Sequence, residues 1–248
     1  MNWSDYDAAL FDLDGVLTPT AEVHMRAWHQ MFSDYLEGRG VAEQYTSDDY
    51  FAHIDGKPRF DGVRDFLASR DISLPEGSAD DAAATETVCG LGNRKNAVFS
   101  AILDDEGVVP YAASVRLLDH LKHEGTAMAV VSSSRNAAKV LAAAGLAGRF
   151  PVVVDGQVAV REGLDGKPSP ATYLCAAELL GVTAARSVVF EDALSGVASG
   201  RAGKFGLVVG VDRGVGAQPL LDEGADLVVA DLDELVPDAI HHRVPATG

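Results

Sequence analysis

The chain has 248 residues, 47% of them hydrophobic and 23% charged, a balance that reads as a soluble globular protein with one large core or two modest ones. Its formal charge of −17 argues against non-specific binding to nucleic acid, whose phosphates it would repel. No apolar run reaches bilayer length, the Met1–Asp7 segment lacks a basic signal region, and two isolated cysteines, Cys89 and Cys175, can build neither a disulfide framework nor a zinc site. A cytoplasmic protein without a membrane or nucleic-acid partner is therefore predicted, and a monomer is expected.

In chain order, an apolar run of strand length from Ala8 stops at two carboxylates, Asp12 and Asp14, with Gly15 next. Runs of this kind are buried in parallel sheets, whose ligands sit beyond the carboxyl ends of the strands. Asp12 and Asp14 are thus expected at the mouth of a site, with Gly15 allowing a sharp turn. Thr20 to Leu36 reads as a helix with Thr20 as N-cap and an apolar stripe of Val23, Ala27 and Met31, widened by Trp28, Phe32 and Tyr35. From Ala42 to about Leu103 strand-like runs disappear, and helical segments are expected at Asp61–Arg70 and at the acidic, alanine-rich Ser78–Val88. Within this insertion, Asp55-Gly56-Lys57-Pro58-Arg59 has the signature of a tight loop presenting cations, and Arg94-Lys95-Asn96 is read as the start of a helix.

From Asp104 the chain returns to alternating units. Val115, Leu118 and Leu121 give a helix face ended by Gly125, then Ala127–Val131 forms a strand followed by Ser132-Ser133-Ser134-Arg135-Asn136. A helix to about Leu146 and a strand at Pro151–Val154 precede a long loop, Asp155–Lys167, that closes with Gly166-Lys167-Pro168. A helix carrying Tyr173, Ala177 and Leu180 leads to the strand Ser187–Phe190, which ends in Glu191-Asp192. A helix at Ala193–Gly203, strands at Gly206–Val211 and Asp226–Ala230, and an intervening helix at Gln218–Glu223 complete the pattern, with a mobile tail expected after Ile240. Such βαβα alternation demands an α/β fold with a doubly wound, mostly parallel sheet. Against an acidic background, the cations Lys57, Arg59, Arg94, Lys95, Arg135 and Lys167 fall in or beside loop-like motifs.

The stretch Asp12-Leu13-Asp14-Gly15-Val16-Leu17-Thr18 resembles the first motif of the haloacid dehalogenase superfamily, and the likeness extends over nearly the whole chain, nearest to its β-phosphoglucomutase-like branch. The resemblance implies a Rossmann-like core of residues 1–18 and 104–248 with strand order 3-2-1-4-5, and a small α-helical cap of residues 19–103. It also implies a nucleophile at Asp12, a general acid/base at Asp14, and a Mg²⁺ site completed by Glu191 and Asp192. Oxygen-only candidates independently favour magnesium over zinc. Ser132 matches the second motif, whose hydroxyl and neighbouring amides bind phosphate at a helix N-terminus, and Lys167 the third, which neutralises the phosphoryl oxygens.

Carried over from the same branch, Thr20-Ala21-Glu22-Val23-His24-Met25-Arg26-Ala27-Trp28 is similar to the helix leading into the cap, which implies substrate contacts at Thr20, His24 and Trp28, with His24 coupling the cap to the general acid/base. Arg59 corresponds to the cap arginine that grips a remote phosphate, joined by Ser134, Arg135 and Asn136, and Lys95-Asn96 to a cap pair that contacts the site. The resemblance implies a β-phosphoglucomutase activity through an aspartyl phosphate and a glucose 1,6-bisphosphate, with a sugar-phosphate phosphatase as alternative. Arg135 stands where a lysine is common, Pro19 occupies a hinge position that is acidic in those mutases, and the Asp155–Lys167 loop is longer than their pattern. A dehalogenase would not need Asp14 with Glu191-Asp192, and a non-catalytic sugar-phosphate sensor would not need Asp12 as nucleophile.

Overall fold

A computed structural model describes residues 1–237; the tail expected after Ile240 lies outside the described residues. Six parallel strands form one sheet: β1 (Ala8–Phe11), β2 (Ala127–Val131), β3 (Val152–Val154), β4 (Ser187–Glu191), β5 (Leu207–Val211) and β6 (Leu227–Val229). Their spatial order is β3-β2-β1-β4-β5-β6, which contains the expected 3-2-1-4-5 and adds β6 at the edge. β1 is buried on both faces because period-two alternation sends Ala8 and Leu10 one way and Ala9 and Phe11 the other. Phe11 stacks on Phe190 of β4 with ring centroids 4.6 Å apart.

Helices cover both faces. α5 (Ala112–Glu124) and α6 (Ala137–Ala143) pack Leu117, Leu121, Val140 and Leu141 over Ala9 and Phe11. On the opposite face, α8 (Ala171–Leu180), α9 (Leu194–Ala202) and α10 (Ala217–Asp222) contribute Tyr173, Val197 and Leu220. A further apolar cluster joins α1 (Thr20–Gly38), α2 (Ser47–His53), α3 (Arg59–Ser69) and α4 (Val88–Glu106) through Trp28, Phe32, Tyr50, Phe66 and Leu91. Both long helices bridge the two regions: α4 gives Leu91 to this cluster and Phe99 and Leu103 to the sheet core.

Four local expectations are corrected. Thr20 is not the N-cap of α1; Pro19 holds that position, and the Thr20 hydroxyl bonds to Asp14 instead. Of Ser78–Val88 only Val88 is helical, as the first residue of α4; the side chains and carbonyls before it have competing partners. Ser78 N–H donates to Asp81 (3.1 Å), while Asn93 Nδ2 of α4 donates to the carbonyls of Ala79 and Asp81. Arg94-Lys95-Asn96 therefore lies inside α4, whose start is capped by the Thr87 hydroxyl accepting from Gly90 N–H at 2.9 Å. Finally, the Asp155–Lys167 loop contains a two-turn helix, α7 (Gly156–Glu162), capped by the Asp155 carboxylate accepting from Gln157 and Val158 N–H at 3.0 Å each.

Candidate active site

The register of the three central strands creates the site. Phe11 is level with Val130 on one side and Phe190 on the other, so Asp12, Ser132 and Glu191-Asp192 emerge together at the carboxyl edge. Asp12, Glu191 and Asp192 offer oxygens that all lie within 4.8 Å of one another. Lys167 ties two of them, its Nζ standing 2.5 Å from Asp12 Oδ1 and 2.5 Å from Glu191 Oε1. Two glycines make room: a Cβ on Gly15 (φ +88°) would fall 1.9 Å from Asp192 Oδ2, and one on Gly196 2.0 Å from the Glu191 carboxyl.

Three carboxylates and one ammonium leave two negative charges in a buried place. Burial, with Glu191 and Asp14 adding repulsion, raises Asp12 well above the usual carboxylate range although Lys167 opposes it, and Asp192 is raised likewise by burial and by Asp12. Glu191 Oε2 is buried without a hydrogen-bond partner, while Oε1 accepts from Tyr173 at 2.7 Å. An all-oxygen donor set with a residual charge of this size and an orphaned carboxylate oxygen fits a hard divalent cation. The Asp14 carboxylate, expected from the sequence as a fourth ligand, stands outside this cluster and is turned toward α1.

There Asp14 Oδ1 accepts from the Thr20 hydroxyl and lies 3.5 Å from His24 Nε2. His24 Nδ1 in turn is paired with Lys95 Nζ of α4, and the ring stacks on Phe99 at 4.0 Å. Lys95 Nζ also sits 5.0 Å from the Trp28 ring centroid and 4.9 Å from that of Phe99. Burial pushes Lys95 down to about 7, and burial together with Lys95 lowers His24. Burial alone would raise Asp14, yet His24, Thr20 and Lys95 outweigh it and hold it below its ordinary value. Thr20, expected to touch substrate, is wholly buried and does not line the cavity; it holds Asp14 from behind.

Beyond β2 the loop Ser132–Asn136 turns on its own hydroxyls. Ser132 Oγ accepts from Ser134 N–H at 3.1 Å and lies 3.5 Å from Asp14 Oδ2. Asn136 Nδ2 donates to Asn96 Oδ1 of α4 at 2.6 Å, and Ser133 Oγ donates to the Gly56 carbonyl at 3.0 Å, so this loop is tied to the helical insertion twice. α6 starts only at Ala137, so Asn136 rather than Ser132 stands at its N-cap position, without a side-chain cap bond. Arg59, at the head of α3, is lowered to about 10 by burial and by the neighbouring Arg135.

One cavity of about 360 Å³ gathers Asp12, Asp14, His24, Trp28, Arg59, Lys95, Ser132, Ser134, Arg135, Asn136, Lys167, Glu191 and Asp192. Of the other cations singled out, Lys57 lines the cavity with its ammonium held by Asp65 at 2.8 Å, and Arg94 faces away toward the Ala83 carbonyl and Glu86. Among the lining and supporting residues that sequence reasoning missed are Tyr50, Asp55, Phe60 and Tyr173. Asp55 is raised to about 6 by burial and by Glu191, and its place beside Gly56 in the tight cation-bearing loop was the available signal. Tyr173 and Phe60 gave none, since an apolar helix face explains both.

A family model described as haloacid dehalogenase-like hydrolase matches residues 6–204. The β-phosphoglucomutase of Mycobacterium bovis is 50% identical over 238 residues, covering 92% of this chain and 91% of that protein. The β-phosphoglucomutase of Bacillus subtilis is 34% identical over 244 residues, covering 95% and 94%. Among solved structures, a β-phosphoglucomutase from Clostridium difficile superposes with a TM-score of 0.75 over 93% of each chain at 23% identity, a likeness of fold.

Proposed function

The chain belongs to the haloacid dehalogenase-like hydrolases, in their β-phosphoglucomutase-like branch, and on that premise we propose that this phosphoryl-transfer enzyme interconverts β-glucose 1-phosphate and glucose 6-phosphate. The observation that carries the reading is a single cavity lined by two sets of cations, Lys167 beside Asp12 and the neighbouring Arg59 and Arg135. A bisphosphate needs both.

In this reading Asp12 attacks the phosphorus of the bound ester, the bond to the sugar oxygen breaks, and Asp14 as an acid gives that oxygen its proton. In the return step a different sugar hydroxyl attacks the aspartyl phosphate, the bond from phosphorus to the Asp12 oxygen breaks to free the carboxylate, and Asp14 takes the hydroxyl proton. Thr20 and His24 aim Asp14, and Lys95 orients His24. Ser132 and Lys167 hold the transferring group, while Arg59, Ser134, Arg135 and Asn136 receive the phosphate that stays behind. Asp12, Glu191 and Asp192 would hold Mg²⁺, which when bound adds positive charge against the phosphoryl oxygens. Residues 19–103 act as the cap over a core of residues 1–18 and 104–248, excluding water from the phosphorylated aspartate.

Phosphorus NMR of the protein with β-glucose 1-phosphate, Mg²⁺ and a trace of β-glucose 1,6-bisphosphate tests this. Glucose 6-phosphate with little inorganic phosphate is expected. Dominant inorganic phosphate would move the assignment to a sugar-phosphate phosphatase, and no product at all would favour a sensor. In the same assay Asp12→Asn and Asp14→Ala are each expected to lose transfer, by about a hundredfold or more.

A further inference from the structure

Arg59 and Arg135 reach the cavity from different parts of the chain, one from the head of α3 and one from the loop after β2. Like charges brought this close repel, and no carboxylate pairs with either guanidinium among the described residues. What the two share is an aromatic ring. The Arg59 guanidinium carbon is 5.2 Å from the Phe60 ring centroid and that of Arg135 is 5.3 Å from the same centroid. Both distances fall within the range over which a ring face attracts a cation.

The ring is itself held in place. A Cβ on Gly92 of α4 would come within 2.6 Å of Phe60 Cδ1, 2.8 Å of Cε1 and 3.2 Å of Arg59 Cγ, so the ring and the arginine stem lie in a slot that only glycine leaves open. On the other side a Cβ on Gly156, the first residue of α7, would meet Arg135 Cγ at 3.1 Å, and Gln157 Nε2 donates to the Arg135 carbonyl at 2.9 Å. Two helices thus fix the stems, and one ring fixes the heads.

We propose that Phe60 is a positioning residue for the second phosphate: its ring face holds Arg59 and Arg135 side by side, so that a phosphate dianion meets a preformed pair of guanidinia. This inference rests on the two-phosphate reading of the cavity. An aliphatic side chain of similar bulk would fill the slot but offer no attraction to either cation, leaving the two arginines to splay apart. Binding of the remote phosphate would then carry the cost of bringing them together.

The test compares a hexose bisphosphate, which carries a remote phosphate, with p-nitrophenyl phosphate, which does not. Phe60→Leu is expected to raise KM for the bisphosphate about tenfold while changing KM for p-nitrophenyl phosphate less than about twofold. Phe60→Tyr, which keeps the ring face, restores the bisphosphate KM. Gly92→Ala displaces the ring from behind without altering it and is expected to reproduce the Phe60→Leu pattern; as an alanine inside a helix it carries no propensity cost. Equal KM changes for both substrates, or a Phe60→Leu enzyme with an unchanged bisphosphate KM, would overturn the proposal, as would failure of Phe60→Tyr to rescue. The comparison holds whether the phosphoryl group ends on sugar or on water, so absence of isomerisation in the parent sinks the mutase reading separately. A parent that turns over neither substrate sinks both.

Discussion

Lys95 sits in a setting far from its chemistry in water. Burial pushes it down to about 7, whereas an unfolded chain's lysine titrates near about 10.4. Between those values the unfolded state keeps a proton that the folded state has released, so stability rises with pH across that window, by at most about 1.4 kcal/mol per pH unit. Lys95→Met removes the linked proton. Urea midpoints measured from pH 7 to 9 should climb for the parent and stay flatter for the variant, and parallel slopes would refute the assignment. The arrangement is intelligible locally: with Asp14 bonded to Thr20 and facing His24, Lys95 is left with His24 Nδ1, the repulsion of Arg59, and the rings of Trp28 and Phe99, which attract a cation but replace little of its water.

Among the elements, α7 has the clearest single support. Asp155 is buried and accepts from two N–H groups at the helix start, and α7 lines the cavity through Gly156, Ala159 and Val160. Asp155→Ala should cost about 1 kcal/mol and lower Tm by a few degrees in thermal unfolding. The sequence made the strands legible and this helix not. Buried parallel strands are continuous apolar runs, and Ala127–Val131 carries no competing signal. Gly156–Glu162 has too few apolar residues to show a face, and its cap residue looked like a loop aspartate. The reverse error occurred at Ser78–Val88, where alanines suggested a helix that side chains of α4 unmake by binding its carbonyls. Motif residues at strand ends were readable because register brings them together; Thr20 was misread because its hydroxyl could serve either the helix or Asp14, and only the tertiary structure chooses.

At the scale of the molecule, the loop of the helical insertion that leads into α3 meets the sheet domain through very small residues. Gly56 (φ +70°) lies so near Ser195 that a Cβ would fall 1.9 Å from its hydroxyl, and a Cβ on Gly166 would meet Pro58 Cγ at 2.6 Å. The loop carrying Asp55 and Arg59 is therefore seated against Ser133, Gly166 and Ser195 at once. Gly56→Ala adds both the strain of a left-handed backbone and this overlap. Small-angle scattering should show a larger radius of gyration for the variant with a saturating sugar phosphate than for the parent, and identical curves would show that the loop can seat without glycine.

Lys167 has a consequence for how the enzyme answers to metal supply. Because an ammonium already joins Asp12 to Glu191, stripping the divalent ion leaves a site that is still cross-linked, not three carboxylates driving each other apart. Chelation should stop turnover while lowering Tm by no more than a few degrees, and returning Mg²⁺ should restore the rate within the mixing time, without a refolding lag. A collapse of the thermal transition on chelation would contradict this. Starvation for the ion would then silence turnover and leave a standing pool of folded protein.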